Sequence, residues 1–195
     1  MTIFIQMFRY ASEPFFFSHA KDRNAPSLYA KVMTYFVIFC LIIFLGVMFY
    51  IDILQSFVGR AGSDYREGLV IVPIILIANM FYGIVFNLSI WFKLSDKTFY
   101  GTIITIIGSI VTLTCFFVLI PKIGYMGAAI AHLACYTVMM LVSYFWGQKV
   151  FPIPYQVGRI AIYCLLAIVL FAISNAITEY SMMIKMIVNT IMIIM

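Results

Sequence analysis

Charge is what this sequence has least of. Only 10% of its residues are Asp, Glu, Lys or Arg, where an ordinary globular domain carries about 25%. That scarcity excludes a soluble surface, because 65% of the chain is hydrophobic and too few polar groups remain to cover it. Cysteine is also sparse. Cys40, Cys115, Cys135 and Cys164 all fall inside apolar runs, with no C-x-x-C spacing and no histidines clustered nearby. Neither a disulfide framework nor a zinc site fits that pattern, so the four read as small apolar packing residues. The long apolar runs contain no Asp or Glu and no paired-carboxylate, Ser-His-Asp or Cys-His arrangement. An intramembrane enzyme needs groups poised as acid, base or nucleophile; none is in place, no enzyme is expected, and no cofactor is called for. The start of the chain also lacks the basic, apolar and small-residue succession of a secretory signal.

What is there is long hydrophobic sequence. Charge-free stretches run over Val32–Ile51, Gly68–Phe92, Thr98–Pro121, Ile123–Gln148 and Ile160–Thr178. A helix rising 1.5 Å per residue crosses about 30 Å of hydrocarbon in roughly 20 residues, and a charge at the centre costs about 2.5–3.5 kcal/mol or more. Five such runs predict an all-α integral membrane protein. Two incomplete stretches, Met1–Met7 before Arg9 and Met186–Met195 after Lys185, raise the expected bundle to about six transmembrane helices. Both look cut, so that Met1 is expected to be an internal methionine of a longer protein.

Basic residues orient the bundle. Arg9, Lys21, Arg23 and Lys31, then Lys93 and Lys97, then Lys149 and Arg159 make eight on one side, against Arg60, Arg66, Lys122 and Lys185 on the other. The positive-inside rule then places the loops around 18–31, 93–97 and 149–159 in the cytoplasm. Asp52, Asp64, Glu67 and Glu179 fall on the opposite side. The net charge of +5 follows from this orientation and suits anionic membrane lipids as neighbours; nucleic acid is not implied. Tyr50, Trp91, Tyr100, Tyr125, Tyr144, Trp146, Tyr155 and Tyr180 lie near span ends and read as an interfacial belt. Loops are short apart from Val58–Arg66 and the link Phe151–Gln156, which Pro152 and Pro154 hold extended.

Inside a membrane, small and polar residues mark the faces that meet protein or water. Asn79, Gly83 and Asn87 recur every four residues in the second full span. Thr105, Gly108, Ser109 and Thr112 share a face of the third, and Gly124, Ala128, Ala131 and Cys135 a face of the fourth, beside His132. Each stripe fits either close helix packing with weak side-chain hydrogen bonds or the wall of a polar cavity. Asn79, Asn87 and His132 are the candidate cavity groups, since amides and ionisable groups at that depth require partners or water. A neutral, hydrogen-bonded packing role suits His132 equally. Pro73 and Gly83 mark a place where the second span is able to bend.

Four strings carry a resemblance: FRYASEPFFF at Phe8–Phe17; FNLSIWFKL at Phe86–Leu94, followed by Asp96-Lys97-Thr98; LIPKIGYMGAA at Leu119–Ala129; and Gly147-Gln148-Lys149 with Pro152-Ile153-Pro154-Tyr155. Over Phe8 to about Ala176 the sequence resembles the polysaccharide transporter branch of the multidrug/oligosaccharidyl-lipid/polysaccharide flippase superfamily, which includes the O-antigen (Wzx-type) flippases. The resemblance implies a second lobe of a 12–14-helix transporter, truncated at both ends. Residues 1–17 would end a preceding membrane helix. Residues 18–150 would form the lobe, with spans at about 32–51, 68–92, 98–121 and 123–148, and residues 151–195 two additional helices, the last incomplete. It also implies a cargo, a polyprenyl-pyrophosphate-linked oligosaccharide crossing the bacterial inner membrane, and polysaccharide polymerase or glycosyltransferase machinery as partners. Arg9 and Lys93 become candidate phosphate contacts, because guanidinium pairs bidentately with phosphate, while both also read as interfacial residues reaching for the headgroups. Two other functions stay open: an exporter of drugs or other amphipaths from the same superfamily, which would carry an acidic residue inside the bundle, and a non-transporting membrane subunit of a polysaccharide assembly complex.

Overall fold

A backbone in hydrocarbon must satisfy every N–H and C=O within its own segment, and an unbroken helix does this. The computed structural model describes residues 1–51 and 68–176, and within them every regular element is helical. Helix α1 covers Thr2–Ser18, α2 Ala25–Phe49, α3 Val72–Leu88, α4 Ile90–Leu94, α5 Phe99–Ile123, α6 Tyr125–Val150 and α7 Val157–Ala176. Five helical stretches are long and apolar enough to cross a membrane: Ala25–Phe49, Leu69–Leu94, Phe99–Ile123, Tyr125–Val150 and Val157–Ser174. The chain is an all-α, multi-pass membrane protein. Outside the described residues lie the expected Val58–Arg66 loop with Asp52, Asp64 and Glu67, and the incomplete last stretch Met186–Met195, with Glu179, Tyr180 and Lys185 before it.

The predicted spans are found, with shifted ends. Helix α2 starts at Ala25, seven residues before the first charge-free position, and Lys31 lies in it with its side chain exposed. A long Lys stem lets a helix carry its ammonium into water while the backbone continues, so the loop expected over 18–31 is only the short connection after Ser18. Pro73 is not a mid-span hinge. It lies in the first turn of α3, just after a 3₁₀ turn at Leu69–Ile71, where a missing N–H costs nothing. The second span is interrupted later, at Ser89, whose N–H is shared between the carbonyls of Val85 (2.9 Å) and Phe86 (3.1 Å). Its hydroxyl donates to the Phe86 carbonyl at 2.6 Å.

The chain divides into two compact units, Met1–Met33 with Ile74–Tyr155, and Thr34–Pro73 with Gln156–Met195. In the second unit Leu45 and Phe49 of α2 pack against Ala167 of α7, and Phe44 meets Phe171 edge-on at 6.2 Å.

In the first unit the dominant packing is the α5–α6 hairpin, turned by Gly124 alone. This residue has φ +55° and ψ −134°, a conformation essentially restricted to glycine. One turn on, a Cβ on Gly127 would stand 2.7–2.9 Å from backbone atoms of Leu119 and Ile120. The helices therefore meet backbone to backbone where the sequence reads Ile-Pro-Lys-Ile-Gly-Tyr-x-Gly, the close approach that small residues permit in membranes. At the other end of this unit Phe16, Ala25, Tyr29, Ala30, Ile90 and Ile153 form a buried cluster. Tyr29 donates to the Phe16 carbonyl at 3.0 Å. The extended link after α6 is held there by Gln148, which donates to the Ile153 carbonyl at 2.7 Å.

Candidate functional site

A cavity of about 740 Å³ opens within the first unit, between α1, α3–α4, α5 and α6. Its α5 wall is the predicted polar face: Thr105, Gly108, Ser109 and Thr112 all line it. Each hydroxyl donates to the carbonyl four residues back, Thr105 to Gly101, Ser109 to Thr105 and Thr112 to Gly108, all at 2.9 Å. This back-bonding uses the hydroxyl hydrogen and leaves the oxygen lone pairs free to accept. From Gly101 to Leu113 the α5 wall extends about 18 Å at 1.5 Å per residue. Gly108 has the second role that small residues have in membranes: a Cβ there would come within 2.5 Å of Met139 Sδ and 3.3 Å of Cys135 Sγ on α6.

One end of the cavity is cationic. Arg9 of α1 and Lys93 of α4, 84 positions apart in the chain, both line it. Between them lies Glu13, whose Oε1 accepts from Lys93 Nζ at 2.6 Å and from Arg9 Nε at 3.4 Å. Arg9 Cζ also stands 4.7 Å from the centre of the Phe86 ring, within cation–π range. Aromatic rings continue along the α3 and α6 sides: Phe86 to Tyr82 at 4.6 Å, Tyr82 to Tyr136 at 4.8 Å and Tyr136 to His132 at 4.7 Å.

The remaining sequence candidates lie elsewhere. Asn79 donates to the Ile75 carbonyl at 3.0 Å, so its amide is used within its own helix, and it does not line the cavity. Asn87 is buried, gives its amide to the Gly83 carbonyl at 3.4 Å and, among the described residues, leaves Oδ1 without a partner. It too is outside the lining, because one helical position separates it from the wall formed by Val85, Phe86 and Ser89. His132 is exposed, one turn beyond the lining residue Tyr136. The α6 stripe is found in part. Ala131 and Cys135 are buried as expected, Gly124 belongs to the turn, Ala128 is half-buried, and the buried positions are Gly127, Ala129, Ala131, Cys135, Ser143 and Gly147.

Sequence reasoning missed Glu13, Tyr82, Tyr136, Ser143 and the placement of Trp91. Trp91 is not part of an interfacial belt: its ring is 1% exposed, its Nε1 donates to Ser143 Oγ at 3.3 Å, and it fills the space that a side chain on Gly147 would need. An aromatic at a span end looks the same in sequence whether it faces headgroups or a neighbouring helix. The available signal was the small pair Ser143 and Gly147 on one face of α6. No protein-family model, curated protein or solved structure matches this chain.

Proposed function

We propose that this chain forms the cavity-bearing helical lobe of a flippase that moves a polyprenyl-pyrophosphate-linked oligosaccharide across the bacterial inner membrane for surface polysaccharide assembly. The observation that carries the reading is a cavity with two cations at one end and hydroxyl oxygens along one wall. A diphosphate diester carries about two negative charges, and Arg9 and Lys93 are the cations that would meet them beside Glu13, with Arg9 suited to a bidentate grip. Sugar hydroxyls donate readily, and Thr105, Ser109 and Thr112 offer acceptors. Tyr82, Phe86 and Tyr136 add aromatic surface for the apolar faces of sugar rings. The prenyl tail stays in lipid, whose solvation needs no protein group.

The charge count places the loop at 93–97 in the cytoplasm, and with it the cationic end, where a diphosphate head group assembled in the cytoplasm would enter. Alternating access requires a second wall, supplied by another helical lobe. Polymerase or glycosyltransferase machinery is the natural partner at the exit.

The test is deletion of the gene in its native host followed by mass spectrometry of extracted lipids. The expected result is accumulation of polyprenyl-pyrophosphate oligosaccharide with loss of surface glycan, both reversed by the intact gene. An unchanged lipid-linked pool with increased sensitivity to amphipathic toxins would replace this reading with the exporter. Loss of the polymerase from the membrane on deletion, with head groups still reaching the outer face, would favour the non-transporting subunit.

A further inference from the structure

The carboxylate between the two cations is unexplained by a site meant for anions. Glu13 lies within reach of any phosphate that binds Arg9 and Lys93, and like charges at that range oppose each other. Its connections are unequal. Lys93 is held tightly, Nζ to Oε1 at 2.6 Å, whereas Arg9 gives only Nε, at 3.4 Å. Among the described residues the two terminal nitrogens of Arg9 have no hydrogen-bond partner, while its guanidinium is steadied over Phe86. Arg9 is thus free to take an anion first, and Lys93 is not.

We propose that Glu13 is an exchangeable counter-ion: it neutralises Lys93 while the cavity is empty and surrenders it to a diphosphate-type anion already gripped by Arg9. The inference rests on the reading of this cavity as an anion site. A carboxylate about one-third exposed is not walled in by protein and has room to turn when it lets go. The exchange also links occupancy to packing, because the Glu13–Lys93 bridge joins α1 to α4 across 80 positions of sequence. Breaking it on ligand entry loosens α1 from the α3–α4 segment, and loss of the anion restores the tie.

Two measurements on the full chain in detergent test this. The first is calorimetric titration with inorganic pyrophosphate. Glu13→Gln keeps the shape and removes the competing charge, so it should bind about tenfold more tightly than wild type, and adding Lys93→Gln should abolish the gain. A merely structural Glu13 predicts the reverse, a lower melting temperature with equal or weaker binding, and that result overturns the proposal. The second needs no variant. A carbodiimide should join Glu13 to Lys93 directly in the wild-type chain, and pyrophosphate should suppress that cross-link while chloride at equal ionic strength does not. Equal cross-linking with and without pyrophosphate overturns the proposal. Farnesyl diphosphate protecting at lower concentration than pyrophosphate assigns the anion to a lipid head group, and equal potency assigns it to a free anion; the exchange stands in both cases. Exchange without lipid accumulation in the deletion strain would leave the counter-ion in place and remove the flippase.

Discussion

At Gly127 a single added methyl decides whether α5 and α6 can meet. Backbone cannot yield as the end of a flexible side chain can, and a Cβ there lies 2.7–2.9 Å from backbone atoms of Leu119 and Ile120. Gly127→Ala should therefore destabilise the hairpin by about 1–3 kcal/mol, the usual cost of overpacking, read as a lower melting temperature in detergent. Gly158→Ala, with none of the described residues within 4 Å of the new Cβ, should stay within about 0.5 kcal/mol of wild type. Equal effects from the two substitutions would contradict the close approach. The glycines of the Gly-Tyr-x-Gly string stood out in the sequence, but their division of labour did not. Gly124 supplies a backbone conformation and Gly127 an absence of volume, and only the position of the turn tells them apart.

Helices α4 and α6 lock together through one indole. Trp91 packs on Gly147, whose added Cβ would stand 2.8 Å from Cδ1, and hydrogen-bonds Ser143. Gly147→Leu should drive the ring out of its slot at a cost of about 1–3 kcal/mol. In a Trp146→Phe background, where Trp91 is the sole remaining tryptophan of the two, the emission should shift to the red as the ring becomes exposed. An unshifted spectrum and unchanged melting would mean the slot is not needed. The spans themselves were legible in the sequence because a charge in hydrocarbon is expensive, so charge-free runs locate helices to within a few residues. Their ends moved where Lys31 and Lys93 have stems long enough to carry charge away from the backbone. Which face each helix presents was legible for α5, where three hydroxyls share one side. It was half legible for α3, where Gly83 and Asn87 are buried but Asn79 spends its amide on its own helix, and for α6, where Ala131 and Cys135 are buried as expected while the buried face starts at Gly127 and not at the turn residue Gly124.

Across the whole molecule, the proposed transport requires water to reach a cavity whose walls are mostly apolar apart from the α5 hydroxyls and the Arg9–Lys93 end, in a protein otherwise solvated by lipid. Its charged end joins residues far apart in sequence: the contact between Glu13 and Lys93 leaves no periodicity to read, although both belong to strings that attracted notice for other reasons. Face and cavity make opposite demands on α5. Thr105, Ser109 and Thr112 must meet water, whereas Ile106, Ile110 and Phe117, all more than half exposed on the protein, must meet lipid. The most direct test places single cysteines at these six positions, one at a time, in a chain whose four native cysteines are replaced, and treats intact membranes with a water-soluble, membrane-impermeant thiol reagent. The account predicts modification at 105, 109 and 112, suppressed by pyrophosphate at 105, and none at 106, 110 and 117. Uniform protection of all six positions from both aqueous sides would contradict it, leaving the hydroxyl face as packing surface alone.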